Sequence, residues 1–339
     1  MSDLDGLDLT ALDRHLREVG VPRSGELHAE LIAGGRSNLT FLVGDDASKW
    51  VLRRPPLHGL TPSAHDMARE YRVVAALAGT AVPVARAVTM RNDDSVLGAP
   101  FQMVEYVPGR VVRRADQLEE LGDESTIHAC VDALIKVLAD LHAVNPDEVG
   151  LGDFGKPSGY LERQVRRWGS QWELVKRPDD ARDADVKKLH ALLGDALPPQ
   201  SRTSIVHGDY RIDNTILDND DATKVIAVLD WEMSTLGDPL SDAALMCVYR
   251  HPMFNLVHDD AAWASPLIPD ADGLAQKYAE AAGHSLDHWD FYMALAYFKL
   301  AIIAAGIAYR AREAGVTDDT DKVDDAVGPL VAAGLEQLA

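Results

Sequence analysis

The sequence is poor in cysteine, in basic residues and in long apolar runs, and each shortage excludes a class of protein. The 339 residues include two cysteines, Cys130 and Cys247, and both fall in apolar helical patterns. Buried free thiols are therefore expected rather than a disulfide or a zinc site. The 54 acidic and 33 basic residues give a net charge of −21. No basic surplus exists to neutralise phosphates, so no nucleic-acid partner is expected.

Hydrophobic segments of membrane-spanning length are also scarce. The first twenty residues are acidic and contain no long apolar run, so no signal peptide is expected. The apolar stretch at 291–309 contains Lys299 and many alanines. Its length is compatible with a membrane span, but its composition favours a buried helix. The sequence predicts a cytoplasmic protein without a membrane partner, either a monomer or a homodimer.

Two regions of different pattern follow each other along the chain. The region before Pro108 contains an N-terminal amphipathic helix, a helical segment at 64–78 and short β-like runs at 39–43, 50–53, 82–88 and 101–107. The region after it is mostly helical, with stretches at about 159–177, 180–193, 239–250, 271–282, 287–313 and 322–338. The short apolar runs at 205–206 and 225–229 are typical of a small β-hairpin. The pattern predicts two lobes, a β-rich one at 1–107 and a helical one at 108–339.

The most informative stretch is His207-Gly208-Asp209-Tyr210-Arg211-Ile212-Asp213-Asn214, followed by Val228-Leu229-Asp230-Trp231-Glu232. Phosphoryl transfer from a nucleotide requires a carboxylate that orients the acceptor hydroxyl and two oxygen ligands for Mg²⁺. The spacing predicts Asp209 as the catalytic base and Asn214 and Asp230 as the metal ligands. The structural alternatives are an Asp209 that caps a loop and an Asp230 that begins a turn.

These paired motifs resemble those of the aminoglycoside phosphotransferase superfamily, which shares the protein-kinase-like fold. Within it, the chain looks most similar to the kinase-like domains related to those fused to acyl-CoA dehydrogenases. The segments that carry this closer resemblance are Val51–Pro56, Arg69–Arg72 and Leu236–Pro239. The resemblance covers roughly 30–310. It implies an α+β bilobal fold, with a small antiparallel sheet and one main helix in the first lobe and a large helical second lobe.

A glycine-containing segment, Gly34-Gly35-Arg36-Ser37-Asn38, lies between two β-like runs of the small lobe. Glycines permit close approach of the backbone, and exposed N–H groups can bind phosphates. The motif is short, so an ordinary hairpin turn remains the alternative. Its position predicts that the nucleotide phosphates are bound by Gly35, Ser37 and Asn38.

Arg53 stands where many relatives carry a lysine that anchors the phosphates. Arg54 follows it, and alternation along a strand puts the two side chains on opposite faces. The resemblance favours Arg53 as the residue that faces the nucleotide, although arginine and lysine bind phosphate differently. Glu70, on the apolar face of the following helix, is predicted to pair with Arg53. A local pair with Arg69 or Arg72 is the alternative.

The resemblance also implies roles for residues that have no strong signal of their own. Backbone groups around Glu105, Tyr106 and Val107 would bind the adenine edge at the hinge. Arg211 would stabilise charge on the transferred phosphoryl group, with a surface salt bridge as the alternative. His207 is expected to brace the catalytic loop, and Asp238 is expected to support the same loop.

The function that follows is an ATP- and Mg²⁺-dependent phosphotransferase with a small-molecule hydroxyl acceptor, whether hydroxyacyl-CoA-like, aminoglycoside-like or other. Basic and aromatic groups at 163–172 suit an anionic or amphiphilic acceptor better than a polycation, unless they form a solvated face. The alternative function is a nucleotide-binding pseudokinase or regulatory module. The replacement of the usual lysine by Arg53 keeps that alternative open. The presence of Asp209, Asn214 and Asp230 weighs against it.

Overall fold

The computed structural model describes residues 4–33, 38–57, 66–315 and 320–339. The chain divides into two compact units. Unit one consists of residues 1–109 and 226–234, and unit two of residues 110–225 and 235–339. Unit one contains an antiparallel sheet, and unit two is mostly helical. The α+β fold expected from the sequence is therefore present.

Unit one is built on a five-stranded antiparallel sheet. Its strands are β1 (His28–Ala33), β2 (Leu39–Gly44), β3 (Lys49–Arg54), β4 (Ala87–Arg91) and β5 (Phe101–Glu105). They are ordered β1-β2-β3-β5-β4. The main helix, α2 (Met67–Leu77), lies between β3 and β4 in the chain. Asp66 begins this helix, because its side chain accepts a hydrogen bond from the Arg69 amide.

An N-terminal helix, α1 (Leu9–Glu18), packs on this sheet. Leu12 and Leu16 are buried in one apolar core with Phe101 of β5. His15 is buried on the same face, and its Nε2 lies 3.0 Å from the Thr89 hydroxyl of β4. Burial lowers the pKa of His15 below its ordinary value. The apolar spacing of the N-terminal segment thus corresponds to a helix that covers the sheet.

The predicted strand at 82–88 enters the sheet only at Ala87. Pro83 has no N–H for a strand ladder, and its carbonyl instead accepts a hydrogen bond from the Val228 amide at 2.8 Å. The predicted strand at 101–107 ends at Glu105. In both cases the apolar pattern extends beyond the residues that are paired in the sheet.

Residues 226–234 join unit one although more than a hundred residues of unit two precede them in the chain. The Val228 amide bonds to Pro83, and Arg69 of α2 donates to the Ser234 carbonyl at 3.1 Å. The sequence pattern predicts that this segment belongs to the lobe beginning at residue 108. The predicted lobe and the observed unit differ because side-chain periodicity does not reveal backbone contacts.

The helices of unit two account for most of its residues. They are α3 (Ala115–Glu119), α4 (Glu124–Ala143), α5 (Tyr160–Val175), α6 (Asp183–Asp195), α7 (Pro239–Val248), α8 (Phe254–Val257), α9 (Ala271–Ala282), α10 (Trp289–Glu313), α11 (Thr320–Asp325) and α12 (Val327–Gln337). The single helix predicted at 322–338 is divided at Ala326. Pro329 explains the division, because proline is tolerated in the first turn of α12 but not inside a continuous helix.

The predicted hairpin of 205–206 with 225–229 is wrong. The strand β6 (Ser204–Val206) pairs with β9 (Thr235–Gly237), in the antiparallel register Ser204↔Gly237. The strands β7 (Thr215–Leu217) and β8 (Val225–Val228) lie between them in the chain. The two apolar runs suggest pairing with each other, whereas the three residues of β9 (Thr235–Gly237) are too few to indicate a strand.

The apolar stretch around Lys299 forms α10. Among the described residues, α10 is the one helix long and apolar enough to cross a membrane by length and composition, and 83% of its most apolar window is buried inside the protein. The burial agrees with the core helix that its alanine-rich composition favoured.

Candidate active site

In unit one, a buried carboxylate organises the residues predicted to bind phosphate. Arg53 Nη1 donates to Glu70 Oε2 at 2.8 Å, and Gln102 Nε2 donates to the same oxygen at 2.6 Å. The predicted pair of Arg53 with Glu70 is thus present. Burial raises the pKa of Glu70, although the charge of Arg53 opposes the shift. The three side chains come from β3, α2 and β5 and link these elements.

Arg53 and Arg54 point in opposite directions, as strand alternation requires. Arg54 is buried and donates to the carbonyl of Leu97 at 3.1 Å and to that of Gly6. Its guanidinium therefore ties the N-terminal segment to a loop of unit one. Arg53 keeps about a quarter of its side chain exposed, on the face that carries Glu70. Of the two, Arg53 is the one placed to meet a ligand.

Asp230 also belongs to unit one and has an unusual backbone. Its φ of 60° and ψ of 61° lie in the left-handed region, which costs a non-glycine residue about 1–3 kcal/mol. Within the described residues its Oδ1 is buried without a hydrogen bond, and Arg53 Nη2 lies 3.7 Å away. A strained backbone that holds a carboxylate oxygen without a hydrogen bond fits a residue kept in place for a cation.

The remaining nucleotide-binding predictions have mixed outcomes. Gly35 and Ser37 lie outside the described residues. Asn38 is buried, and neither atom of its amide group has a hydrogen-bond partner in the described part of the chain. The Glu105 amide is already used, because it donates to the Arg86 carbonyl at 2.9 Å. An adenine contact at Glu105 is therefore restricted to its carbonyl oxygen.

In unit two, Asp242 holds the backbone of the catalytic loop. Its carboxylate accepts the amides of His207 at 2.5 Å and Gly208 at 2.7 Å. The Tyr278 hydroxyl lies 2.8 Å from Nδ1 of His142, so Nε2 is left to donate to Asp242 at 3.3 Å. Burial alone would raise the pKa of Asp242, but these donors hold it below its usual value.

The prediction that Asp238 supports the catalytic loop is wrong, because Asp238 bonds to other parts of unit two. Asp238 caps α7 through the Leu240 amide at 3.1 Å. It also accepts bonds from the Ser201 amide and hydroxyl, both at 2.7 Å, and from the Tyr292 hydroxyl at 2.9 Å. These contacts fix the start of α7. The aspartate that bonds to the catalytic loop lies one helical turn later, at Asp242.

The predicted base, Asp209, is held by several donors of unit two. Asn214 Nδ2 donates to its carbonyl at 2.7 Å and to Oδ2 at 3.1 Å, and the Tyr249 hydroxyl donates to Oδ1 at 2.5 Å. The Asp209 amide donates to His207 Nδ1 at 3.2 Å, so His207 braces the loop as predicted. Because Asn214 uses its nitrogen for Asp209, its carbonyl oxygen is left to act as a metal ligand.

The Arg211 side chain is largely buried, so it does not form the surface salt bridge that was the alternative. Nε donates to Asp213 at 2.6 Å, and Nη1 lies 3.4 Å from Asp209 Oδ1. The guanidinium also lies over the rings of Tyr249 and Phe254, at 5.2 and 5.3 Å from their centres. Burial lowers the pKa of Arg211, but the neighbouring acids raise it more. These contacts place Arg211 beside Asp209, and its contact with the transferred phosphoryl group stays a prediction.

The predicted acceptor face on α5 is only partly available. Arg163 donates to the carbonyls of Lys156 at 2.5 Å and Ser158, so it closes the loop before the helix. Trp168 and Trp172 are buried, whereas Arg166 and Arg167 are exposed. The basic groups left for an acceptor are thus the two exposed arginines (Arg166 and Arg167).

Lys299 of α10 brings a further cation to the catalytic loop. Its Nζ donates to the Gly208 carbonyl at 2.7 Å and lies 5.8 Å from the centre of the Trp168 ring. Burial lowers the pKa of Lys299. Within the described residues, this ammonium makes no ion pair with a carboxylate. Although the chain is strongly acidic, the side chain that contacts the backbone next to Asp209 here is therefore a buried lysine.

Sequence reasoning did not assign site roles to Gln102, Asp242, Tyr249 and Lys299. A polar residue inside an apolar run was the available signal for Gln102 and Lys299. In the local sequence nothing distinguishes Asp242 from Asp238, or Tyr249 from the other aromatic residues of the helical lobe. Their partners lie far away in the chain, so a single sequence does not pair them.

Comparison with known proteins places these arrangements in a family. A model of the family described as "Phosphotransferase enzyme family" matches residues 28–295. Acyl-CoA dehydrogenase family member 10 of Mus musculus is 34% identical over 89% of this chain and 28% of its own length. Family member 11 of Homo sapiens is 32% identical over 96% of this chain and 42% of its own length. The chain thus spans less than half of these relatives.

Solved structures resemble the whole chain. A protein of Ralstonia eutropha JMP134 assigned to the aminoglycoside phosphotransferases is 32% identical, with a TM-score of 0.83 over 98% of both chains. The aminoglycoside phosphotransferase APH(4)-Ia, solved with AMP-PNP and hygromycin B, shares the fold at 18% identity, with a TM-score of 0.63 over 96% of this chain and 99% of its own. With its kinase-like fold, the chain belongs to the phosphotransferase enzyme family that includes the aminoglycoside phosphotransferases.

Proposed function

We propose that the protein transfers the γ-phosphoryl group of ATP to the hydroxyl group of a small molecule in a Mg²⁺-dependent reaction. The observation that carries the proposal is the set of contacts around Asp209. Its Oδ2 accepts one hydrogen bond, from Asn214, and about a quarter of the side chain is exposed. A partly exposed, oriented carboxylate can receive the hydrogen bond of an acceptor hydroxyl.

The nucleotide role falls to unit one. Arg53 is held by Glu70 and offers N–H groups that suit phosphate oxygens. The family neighbour solved with AMP-PNP, an ATP analogue, supports nucleotide use by this chain. The backbone around Val107 is the proposed adenine contact, and its amide has no partner among the described residues.

The donor chemistry of two residues fits a magnesium ion. The Asn214 side chain uses its nitrogen for Asp209, and among the described residues no group donates to its carbonyl oxygen. In the same part of the chain, Asp230 has a buried carboxylate oxygen without a hydrogen bond. Neutral and charged oxygens are the ligands that Mg²⁺ prefers. When bound, the ion would neutralise charge on the nucleotide phosphates.

The protein's own part of the reaction centres on Asp209. The acceptor oxygen forms a bond to the γ-phosphorus, and the bond from that phosphorus to the β,γ-bridging oxygen breaks, leaving ADP. The hydroxyl proton passes to the Asp209 carboxylate and then to solvent. Arg211 and Tyr249 keep the carboxylate oriented during the transfer.

For the acceptor, we favour a neutral or anionic molecule over a polycation. Arg211 lies 3.4 Å from Asp209, and Lys299 is bonded to the adjacent Gly208 carbonyl. The charge of Arg211 is compensated by Asp209 and Asp213, but the ammonium of Lys299, which has no carboxylate partner among the described residues, would repel an aminoglycoside at the point of transfer. A hydroxyacyl-CoA-like compound carries negative charge and remains the favoured acceptor.

The function is tested by ADP release from Mg-ATP in the presence of aminoglycosides, hydroxyacyl-CoA compounds and sugars. Asp209→Asn should abolish acceptor-dependent release, whereas Asp220→Asn, a matched change at an exposed carboxylate of unit two, should not. Equal release by the wild type and Asp209→Asn would contradict the proposal. An absence of turnover combined with ATP binding would instead favour the regulatory module.

The charge preference is measured with three alcohols that share one secondary hydroxyl. These are 3-hydroxybutyrate, 1,3-butanediol and 4-amino-2-butanol, which differ in the charge of the other end. We expect kcat/KM to fall in that order. Faster turnover of the amine would show that the cations beside Asp209 do not select the acceptor.

A further inference from the structure

Tyr249 is a buried tyrosine whose hydroxyl is directed at the proposed base. It follows the last residue of α7 and donates to Asp209 Oδ1 at 2.5 Å. Burial, together with the charge of Asp209, raises the pKa of Tyr249 well above the ordinary tyrosine value. The hydroxyl therefore keeps its proton at neutral pH and acts as a donor.

The two oxygens of Asp209 are not equivalent. Oδ1 accepts a hydrogen bond from the Tyr249 hydroxyl and forms an ion pair with Arg211, whose Nη1 lies 3.4 Å away. Oδ2 has one donor in the described residues, Asn214 Nδ2 at 3.1 Å. One lone pair of Oδ2 is therefore left for another hydrogen bond. A hydroxyl substrate would find its acceptor atom at Oδ2.

The Tyr249 ring is itself held in place. Its centre is 4.6 Å from that of Phe254, and the Arg211 guanidinium lies over both rings. The same helix, α7, carries Asp242, which bonds to the backbone of the catalytic loop. One helix and the residue after it therefore fix both the loop backbone and the carboxylate of the base.

We propose that Tyr249 is a positioning residue that holds Oδ1 of Asp209 and so presents Oδ2 to the acceptor. The inference rests on the phosphotransferase function proposed above. In the transfer, the acceptor O–H proton goes to Oδ2 as the acceptor oxygen bonds to the γ-phosphorus. The bond to the β,γ-bridging oxygen breaks at the same time, and its electron pair leaves with ADP.

The test uses Tyr249→Phe, which removes the hydroxyl and keeps the ring. The assay is ADP release from Mg-ATP with water as the acceptor, so no identified substrate is needed. We expect kcat to fall at least about tenfold, because Asp209 loses the hydrogen bond that fixes Oδ1 and its carboxylate departs from the orientation needed for transfer. The KM for Mg-ATP should stay within about twofold, since Tyr249 has no role in the proposed nucleotide site.

Tyr292→Phe is the matched control, because it removes a hydroxyl donated to the buried Asp238. It should lower the unfolding temperature to a similar extent and leave kcat unchanged. If Tyr249→Phe keeps wild-type kcat while Asp209→Asn loses activity, the role of Tyr249 is refuted and the phosphotransferase function stands. If the wild type and Asp209→Asn show equal acceptor-dependent ADP release with the alcohols named above, the function itself is refuted.

A crystal structure of Tyr249→Phe gives a result that does not depend on turnover. The proposal expects the Asp209 carboxylate to rotate and lose the bond between Oδ2 and Asn214. A carboxylate that keeps its orientation, with that bond intact, would overturn the proposal. The crystal structure of Tyr292→Phe should retain the bond and provides the reference.

Discussion

Replacing Asp242 by asparagine should destabilise unit two strongly, because this buried carboxylate accepts two amides of the catalytic loop. The His207 and Gly208 amides lie 2.5 and 2.7 Å from its oxygens. Asparagine keeps one oxygen and places an NH₂ group against the other donor. The change therefore removes charge from one bond and leaves one buried N–H without an acceptor.

The expected loss can be worked out from these two bonds. A hydrogen bond to a charged group contributes about 1.5–3 kcal/mol, and an unsatisfied buried donor costs about 1–3 kcal/mol. Removing a buried charge returns part of this, because its desolvation is relieved. We expect a loss of about 3 kcal/mol in the free energy of unfolding, a large share of the usual ~5–15 kcal/mol.

Urea unfolding of the wild type and Asp242→Asn at pH 7 measures the effect. Asp140→Asn is the matched control, because Asp140 pairs with Lys136 across one exposed helical turn. That change should cost less than about 0.5 kcal/mol. A loss below about 1 kcal/mol in Asp242→Asn would refute the reasoning, since it would mean that the loop amides find other acceptors.

The pKa of Asp242 is lowered by folding, so its stabilisation is present above the unfolded value of about 4 and is lost as the pH falls further. The difference between wild type and Asp242→Asn should therefore shrink below about pH 4. A difference that stays constant down to pH 3 would show that the ionised form contributes nothing.

Three further changes test other parts of the site and the fold. Arg53→Lys keeps a cation beside Glu70 but loses the forked guanidinium, so the KM for Mg-ATP should rise about threefold to tenfold. An unchanged KM in ADP-release assays would argue against a contact between Arg53 and the phosphates. Lys299→Met removes the bond to the Gly208 carbonyl and should lower kcat about tenfold with a small change in melting temperature, because burying an ammonium is itself costly. Stability should fall as the pH drops below about 6.5, because histidines that burial keeps neutral in the folded protein become protonated in the unfolded chain. Thermal melts at pH 7.5 and 5.5 measure this effect, and equal melting temperatures would contradict it. The histidines concerned are His15, His142 and His251.

The sequence predicted best where a local pattern determines the contact. Strand alternation separated Arg53 from Arg54, whereas the catalytic and metal-binding roles of Asp209, Asn214 and Asp230 stay predictions. The pair of Arg53 with Glu70 followed because a carboxylate on an apolar helix face needs a cation. In each case the chemistry of the side chain restricted the choice of partner.

Prediction failed where partners are distant and the backbone carries the interaction. The pairing of β6 with β9 and the bond from Val228 to Pro83 are made by main-chain groups that every residue possesses. Asp238 and Asp242 are both buried aspartates near the start of one helix. Only the positions of the loop amides decide which of them supports the base, and a single sequence does not contain those positions.

The interrupted course of unit one has a consequence for protein synthesis. Its sheet and main helix are complete when residue 109 has been translated, but residues 226–234 are still to come. At about 5–20 residues per second, the ribosome needs roughly ten seconds more to supply them. During this interval the Pro83 carbonyl lacks its final partner, the Val228 amide. A nascent chain paused between residues 109 and 226 should therefore be more sensitive to protease near Pro83 than the finished protein.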